Sequence, residues 1–147
     1  MTVPARVSLV TLGVVDVARS TAFYEALGWS KSAASTPAIT FFHTGGPILA
    51  LFGHTDLADD ATVAADGDGF RGVTCSINVD SPDAVTSAHD EWVRAGGASV
   101  RLPCPAAFEG GYIAYVADPD GHLWEFAHNP HFPIDARGHV TLPDNPD

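Results

Sequence analysis

The sequence predicts an α+β fold made of two successive βαβββ modules in 147 residues. Three observations predict it. Each half opens on an apolar, β-branched run followed by a helical pattern that stops at a glycine, Gly28 in the first half and Gly96 in the second. In each half a glycine turn then joins two strand-like runs, Thr44-Gly45-Gly46 in the first and Asp118-Pro119-Asp120-Gly121 in the second. The punctuation also corresponds in order, Val14 to Val79, Gly28 to Gly96 and Gly46 to Gly121, with the widening offset absorbed in loops, as an internal repeat requires.

Val7 to Val15 reads as a buried strand, because its apolar and small residues run almost unbroken. Asp16 can cap the helix that follows, in which Val17, Phe23 and Leu27 recur at helical spacing up to Gly28. Trp29 to Ala33 reads as a short strand, and Ala38 to His43 and Pro47 to Gly53 as an antiparallel hairpin. Thr55 to Gly69 is acidic and alanine-rich and ends in Asp66-Gly67-Asp68-Gly69, which marks a solvated linker with room for one helical turn. Phe70 to Val79 opens the second half as a strand. Ser81-Pro82-Asp83 then starts a helix with a hydroxyl cap and a proline at the first helical position. Its stripe is Val85, Ala88 and Trp92, with His89 near the polar side, and Gly96-Gly97 ends it. A short strand at Ser99 to Leu102, a loop from Pro103 to Gly111 and a hairpin from Tyr112 to Ala127 complete the module. The boundaries are 1–54 for the first module, 55–69 for the linker, 70–128 for the second module and 129–147 for a proline-rich extension anchored by Phe132 and Ile134.

Seven basic against eighteen acidic residues give a formal charge of −11, which repels phosphate backbones and anionic lipid and excludes nucleic acid as a partner. No apolar run reaches membrane-spanning length, and Met1 to Arg6 lacks the charged and apolar regions of a signal peptide. The expected location is the cytoplasm, with no membrane partner. Cys75 and Cys104 have no metal-ligand spacing and read as free thiols in a reducing compartment.

The residue of most chemical interest is Glu125, placed mid-strand just after the Asp118-Pro119-Asp120-Gly121 turn in apolar surroundings. A carboxylate there is costly unless it is paired, hydrogen-bonded, metal-bound or protonated, so it is either functional or turned to solvent at an edge. Strand alternation puts His122, Trp124, Phe126 and His128 on one face and Leu123, Glu125 and Ala127 on the other.

The helix text from Asp16 to Trp29 and the closing Asp118-Pro119-Asp120-Gly121-His122-Leu123-Trp124-Glu125, set in two βαβββ modules over roughly residues 6 to 130, resemble the vicinal oxygen chelate superfamily. That superfamily includes glyoxalase I, extradiol dioxygenases, and bleomycin and fosfomycin resistance proteins. The resemblance implies that the two sheets form half-barrels around a shared cavity, in which members commonly hold a divalent metal. It also implies pairing of modules in a homodimer. The family's metal-ligand positions fall here on Leu9, Ala50, Thr74 and Glu125, of which only Glu125 is a ligand of the usual kind. No cofactor is therefore expected. The same alignment turns Ala50, Phe52 and His54 toward the cavity and puts Thr74, Ser76 and Asn78 on a polar wall beside Glu125. Phe108 and Tyr112, flanking Gly110-Gly111, fall at the cavity mouth, where they could stack on a flat ligand or simply pack the rim.

Three functions remain open on the sequence. The first is a metal-free protein that binds a small organic molecule. The second is an isomerase, epimerase or lyase with Glu125 as general acid or base. The third is a metal-dependent lactoylglutathione lyase or extradiol dioxygenase, which the substituted ligand positions disfavour.

Overall fold

Each end of the first helix is fixed by a residue chosen for its backbone. The computed structural model describes residue 3 and residues 5–142. In it Asp16 is extended and its side chain accepts the Arg19 N–H at 3.1 Å, while Gly28 takes φ +88° beyond the last turn. Between them runs α1 (Val17–Ala26), preceded by β1 (Leu9–Val14) and followed by β2 (Ile39–Phe42) and β3 (Ile48–Gly53). These belong to the first of two compact units, Met1–Asp68 and Gly69–Asp147.

In the first unit β3 is central, parallel to β1 and antiparallel to β2. Register pairs Thr40 with Leu51 and Phe42 with Leu49, so these four share one face. That face meets α1, because the Thr21 and Thr40 hydroxyls stand 2.8 Å apart and Tyr24, fully buried, packs its ring 5.8 Å from Phe42 and 5.2 Å from Trp29. The other face carries Thr11, Ala50 and Phe41, aligned in one row.

Two expectations for this unit are corrected. Trp29 to Ala33 is not a strand but a single antiparallel bridge, Lys31 to Phe42. Ser32 explains the loss: its Oγ accepts the Ala34 N–H and its carbonyl the Ser35 N–H, both at 3.1 Å, and this local turn takes the chain away from the ladder. The stretch expected to be linker begins as a helix, α2 (His54–Asp60), and its first residue, His54, therefore leaves the strand.

The second unit contains β4 (Cys75–Asn78), α3 (Pro82–Arg94), β5 (Ala98–Pro105), β6 (Tyr112–Ala117) and β7 (Leu123–His128). Its sheet order is β4-β7-β6-β5, with β7 parallel to β4 and antiparallel to β6. This is the first unit's β1-β3-β2 pattern with a full fourth strand where the first unit has one bridge. Strand β4 is shorter than the expected Phe70 to Val79, because Gly69 and Gly72 take positive φ (+74° and +80°) and break the extended chain before it. Strand β5 is longer than the expected Ser99 to Leu102. It is an edge strand, where Pro103 and Pro105 cost no ladder bond, and its pairing to β6 slips twice.

Helix α3 starts as its sequence requires, with the Ser81 side chain accepting the Ala84 N–H at 3.0 Å and Pro82 in the first turn. Trp92 anchors it, ring against Trp124 and Phe126 at 5.8 Å each and Nε1 donating to the Ala117 carbonyl at 2.8 Å. His89 is not on the polar side. It is buried one turn from Val85 and Trp92, with Nε2 2.7 Å from Ser99 Oγ and Nδ1 3.0 Å from Asp90 Oδ1, and so ties α3 to β5.

The turn into β7 is built on Asp118, which is buried and accepts the N–H groups of Asp120 and His122 at 2.9 Å each, while Gly121 takes φ +84°. The same pattern, Asp-x-x-Gly-His, recurs in the extension, where Asp135 accepts from Arg137 at 2.8 Å and His139 at 2.9 Å and Gly138 has φ +85°. An isolated bridge between Ile134 and Val140 closes it. The last five residues of the extension, 143–147, lie outside the described residues.

Candidate functional site

Register carries one polar residue from each strand of the second unit into a single transverse row. Ser76 of β4 pairs with Glu125 of β7, Glu125 with Tyr115 of β6, and Tyr115 with Arg101 of β5. Trp124 and Phe126 face α3, so alternation puts the row on the opposite face of the sheet. Ser76 Oγ donates to Glu125 Oε1 at 2.9 Å, and Tyr115 stands opposite Glu125 on the neighbouring strand, near enough for its hydroxyl to feel the carboxylate. Glu125 is half-buried between Ser76 and Tyr115. The apolar surroundings expected around it are thus replaced, within the row, by hydroxyls.

The electrostatic consequence falls on Tyr115. Its proton is held above the ordinary tyrosine range, first through the hydroxyl's interaction with the Glu125 side chain and then through partial desolvation and the carboxylate's charge, while Arg101 pulls the other way. Arg101 reaches this row through the slip in β5. Ser99 pairs with Val116 on the α3 side, and a strictly alternating strand would return Arg101 to that side. One extra residue, Val100, resets the register and brings Arg101 opposite Tyr115. Neighbouring rows on this face are apolar at their centre, Ala127 with Ile113 on one side and Leu123 with Ala117 on the other.

Residues 6–126 match the model of the Glyoxalase/Bleomycin resistance protein/Dioxygenase superfamily. The chain belongs to that superfamily. Among solved structures it is similar to a glyoxalase-related enzyme from Fulvimarina pelagi, at 35% identity over 96% of this chain and 100% of that one, with a TM-score of 0.84. Two more distant structures share the fold. A glyoxalase/bleomycin resistance protein/dioxygenase family enzyme from Burkholderia phytofirmans PsJN shows 20% identity over 84% and 98% of the two chains, with a TM-score of 0.75. A lactoylglutathione lyase from Agrobacterium tumefaciens shows 19% identity over 86% and 95%, with a TM-score of 0.65. No curated protein matches the chain.

The residues that the resemblance implies as metal ligands, Leu9, Ala50, Thr74 and Glu125, do not fit a divalent metal. Leu9 and Ala50 have no lone pair to give, Thr74 offers a neutral hydroxyl and lies outside β4, and Glu125 already accepts from Ser76. Among the described residues no group of three or more His, Cys, Asp or Glu could hold a metal ion.

Of the other expected site residues, Ser76 joins Glu125 directly. Asn78 is half-buried and shares that face one pair along, opposite Ala127, whereas Thr74 lies just before β4 and is exposed. Tyr112 is corrected: it pairs with His128, and alternation from Tyr115 puts it on the α3 side of β6, away from Glu125. Phe108 sits in a turn with its ring against Gly111, where an added Cβ would come within 2.0 Å of it. In the first unit Phe52 shares the Ala50 face of β3. His54 is corrected too. It opens α2, and its Nε2 lies 2.8 Å from the Ala65 carbonyl oxygen. Tyr115 and Arg101 were not foreseen. Tyr115 could have been, since the Asp118-to-His122 turn fixes which residue of β6 faces Glu125; Arg101 depends on a slip that no residue pattern announces.

Proposed function

We propose that the chain binds a small organic molecule on the face of the second unit's sheet opposite α3, with Glu125 as the central contact and without the metal that superfamily members commonly hold. The observation that carries this reading is the half-buried carboxylate that Ser76 holds by a 2.9 Å hydrogen bond, with Tyr115 beside it on the next strand. The Ser76 hydroxyl fixes its orientation and leaves other lone pairs for a ligand, which lowers the ordering cost of binding. The test is a screen of small polar aromatics against metal-stripped, ¹⁵N-labelled protein in chelator. Shifts centred on Ser76, Tyr115 and Glu125, weakened about tenfold or more by Glu125→Ala, are expected. Hits that need added metal, or that spare all three residues, would overturn the reading.

A second reading, an isomerase, epimerase or lyase, draws on the Glu125–Tyr115 pair. A carboxylate facing a hydroxyl across neighbouring strands is an arrangement that can take up and return a proton beside a carbonyl. Exchange of solvent deuterium into the carbon next to a ligand carbonyl, lost in Glu125→Gln, supports it; no exchange with any hit removes it.

A further inference from the structure

We infer that the molecule bound on this face is an organic carboxylate carrying a hydrogen-bond donor at its far end, with its anionic group paired to Arg101 and its donor received by Glu125. The inference rests on the binding reading above and specifies its ligand class.

The row is polar but its two ends differ in kind. Glu125 is an acceptor, Arg101 is a permanent cation with five N–H donors, and Tyr115 stands between them. Glu125 and Arg101 are two strand spacings apart, roughly 10 Å between backbones, so a small molecule can span them while they do not neutralise each other by direct contact. Arg101 is exposed and forms no ion pair among the described residues, although acidic residues outnumber basic ones eighteen to seven in the chain. A guanidinium in such a chain finds intramolecular carboxylates easily. One held on a bulged edge strand, two strand spacings from an oriented glutamate, is positioned instead for an anion from outside. The planar guanidinium fork fits a carboxylate through two parallel hydrogen bonds. The apolar rows beside the polar one, Ala127 with Ile113 and Leu123 with Ala117, suit a flat hydrocarbon body between the two poles.

The ligand's two ends can be tested separately with 4-hydroxybenzoate, which has both poles, 4-hydroxybenzamide, which lacks the charge, and benzoate, which lacks the donor. Each is titrated by amide chemical shift into wild type, Arg101→Gln, Arg101→Lys and Glu125→Gln. We expect 4-hydroxybenzoate to bind most tightly and to shift Ser76, Tyr115 and Glu125. The amide should bind about tenfold or more weaker to wild type, and Arg101→Gln should weaken the acid by a similar factor while leaving the amide unchanged. Arg101→Lys keeps the charge and should restore part of the acid's preference. Glu125→Gln should weaken 4-hydroxybenzoate and leave benzoate unchanged. Equal affinity of acid and amide, or insensitivity of the acid to Arg101→Gln, overturns the carboxylate assignment. If the shifts still centre on Ser76, Tyr115 and Glu125, the binding face itself survives that result. Failure of all three probes at millimolar concentration overturns the ligand class, while the wider screen separately decides the face.

Discussion

Tyr115 and Glu125 make the site's chemistry measurable without any ligand. Because the Glu125 carboxylate beside it favours the protonated hydroxyl, Tyr115 has a folded pKa above the unfolded value of 10.0. A raised folded value means that the pair's contribution to stability is complete below pH 10 and is lost as pH rises through the folded pKa. Following Tyr115 by its ring ¹³Cζ signal, assigned with Tyr115→Phe, should show ionisation above the ordinary tyrosine range; Glu125→Ala should lower that midpoint. An unchanged midpoint would mean that the two do not interact in solution. Glu125→Gln keeps an acceptor oxygen for the Ser76 hydroxyl and removes a half-buried charge, so unfolding free energy at neutral pH should change by less than about 1 kcal/mol. A loss of several kcal/mol would make Glu125 structural. At this scale the sequence was legible where alternation alone decides: Ser76 and Glu125 share a face because each sits at a fixed parity in a regular strand. Tyr112 misled because closeness to a glycine turn says nothing about parity, and Arg101 was hidden because an extra residue in β5 inverts the parity that a reader would assume.

The elements hold together through a few contacts whose tolerance differs in predictable ways. A Cβ added to Gly97 would meet Trp92 Cδ1 and Nε1 at 2.3 Å and the Ala117 carbonyl at 2.9 Å. Trp92 is buried and hydrogen-bonded to that carbonyl, so it has nowhere to move, and Gly97→Ala should cost about 2–4 kcal/mol in chemical denaturation. At Gly111 the clash is nominally worse, 2.0 Å to the Phe108 ring, but that ring is 40% exposed and can swing outward. Gly111→Ala should therefore cost less than about 1 kcal/mol, and reversal of the two outcomes would refute this ranking of side-chain freedom. His89→Ala removes the tie between α3 and β5 and leaves a cavity, for an expected loss of about 2–3 kcal/mol. Helix ends were readable because Asp16, Gly28, Ser81 and Gly96 each satisfy a backbone demand within a few residues. The strand expected at Trp29 to Ala33 and the position of His54 were not, since both turn on local competitors: the Ser32 turn in one case, an early helix start in the other.

At the scale of the molecule, membership of a superfamily whose members commonly hold a metal and the proposal that this chain binds its ligand without one point in different directions, and purified protein can decide between them. Pairing of copies is expected because both sheets end in edge strands and β5 exposes Val100 and Leu102, which a second copy could cover. Sedimentation at micromolar concentration should give a species of twice 15.4 kDa; a single species at 15.4 kDa would refute pairing. Metal content needs more care, because a chain with eighteen acidic side chains will attract divalent cations loosely whatever its fold does. Loose ions exchange and dialyse away, whereas a site of about three protein ligands retains its metal. With Leu9, Ala50 and Thr74 at three of the four positions that the resemblance implies as ligands, extensive dialysis should leave less than stoichiometric Zn, Mn, Fe or Ni by elemental analysis, even after growth in supplemented medium. Retention of one equivalent of a single metal would show that other side chains have replaced the missing ligands. Glu125→Gln would then have to release that metal if the carboxylate were among them, so the same variant that tests ligand binding also tests the alternative.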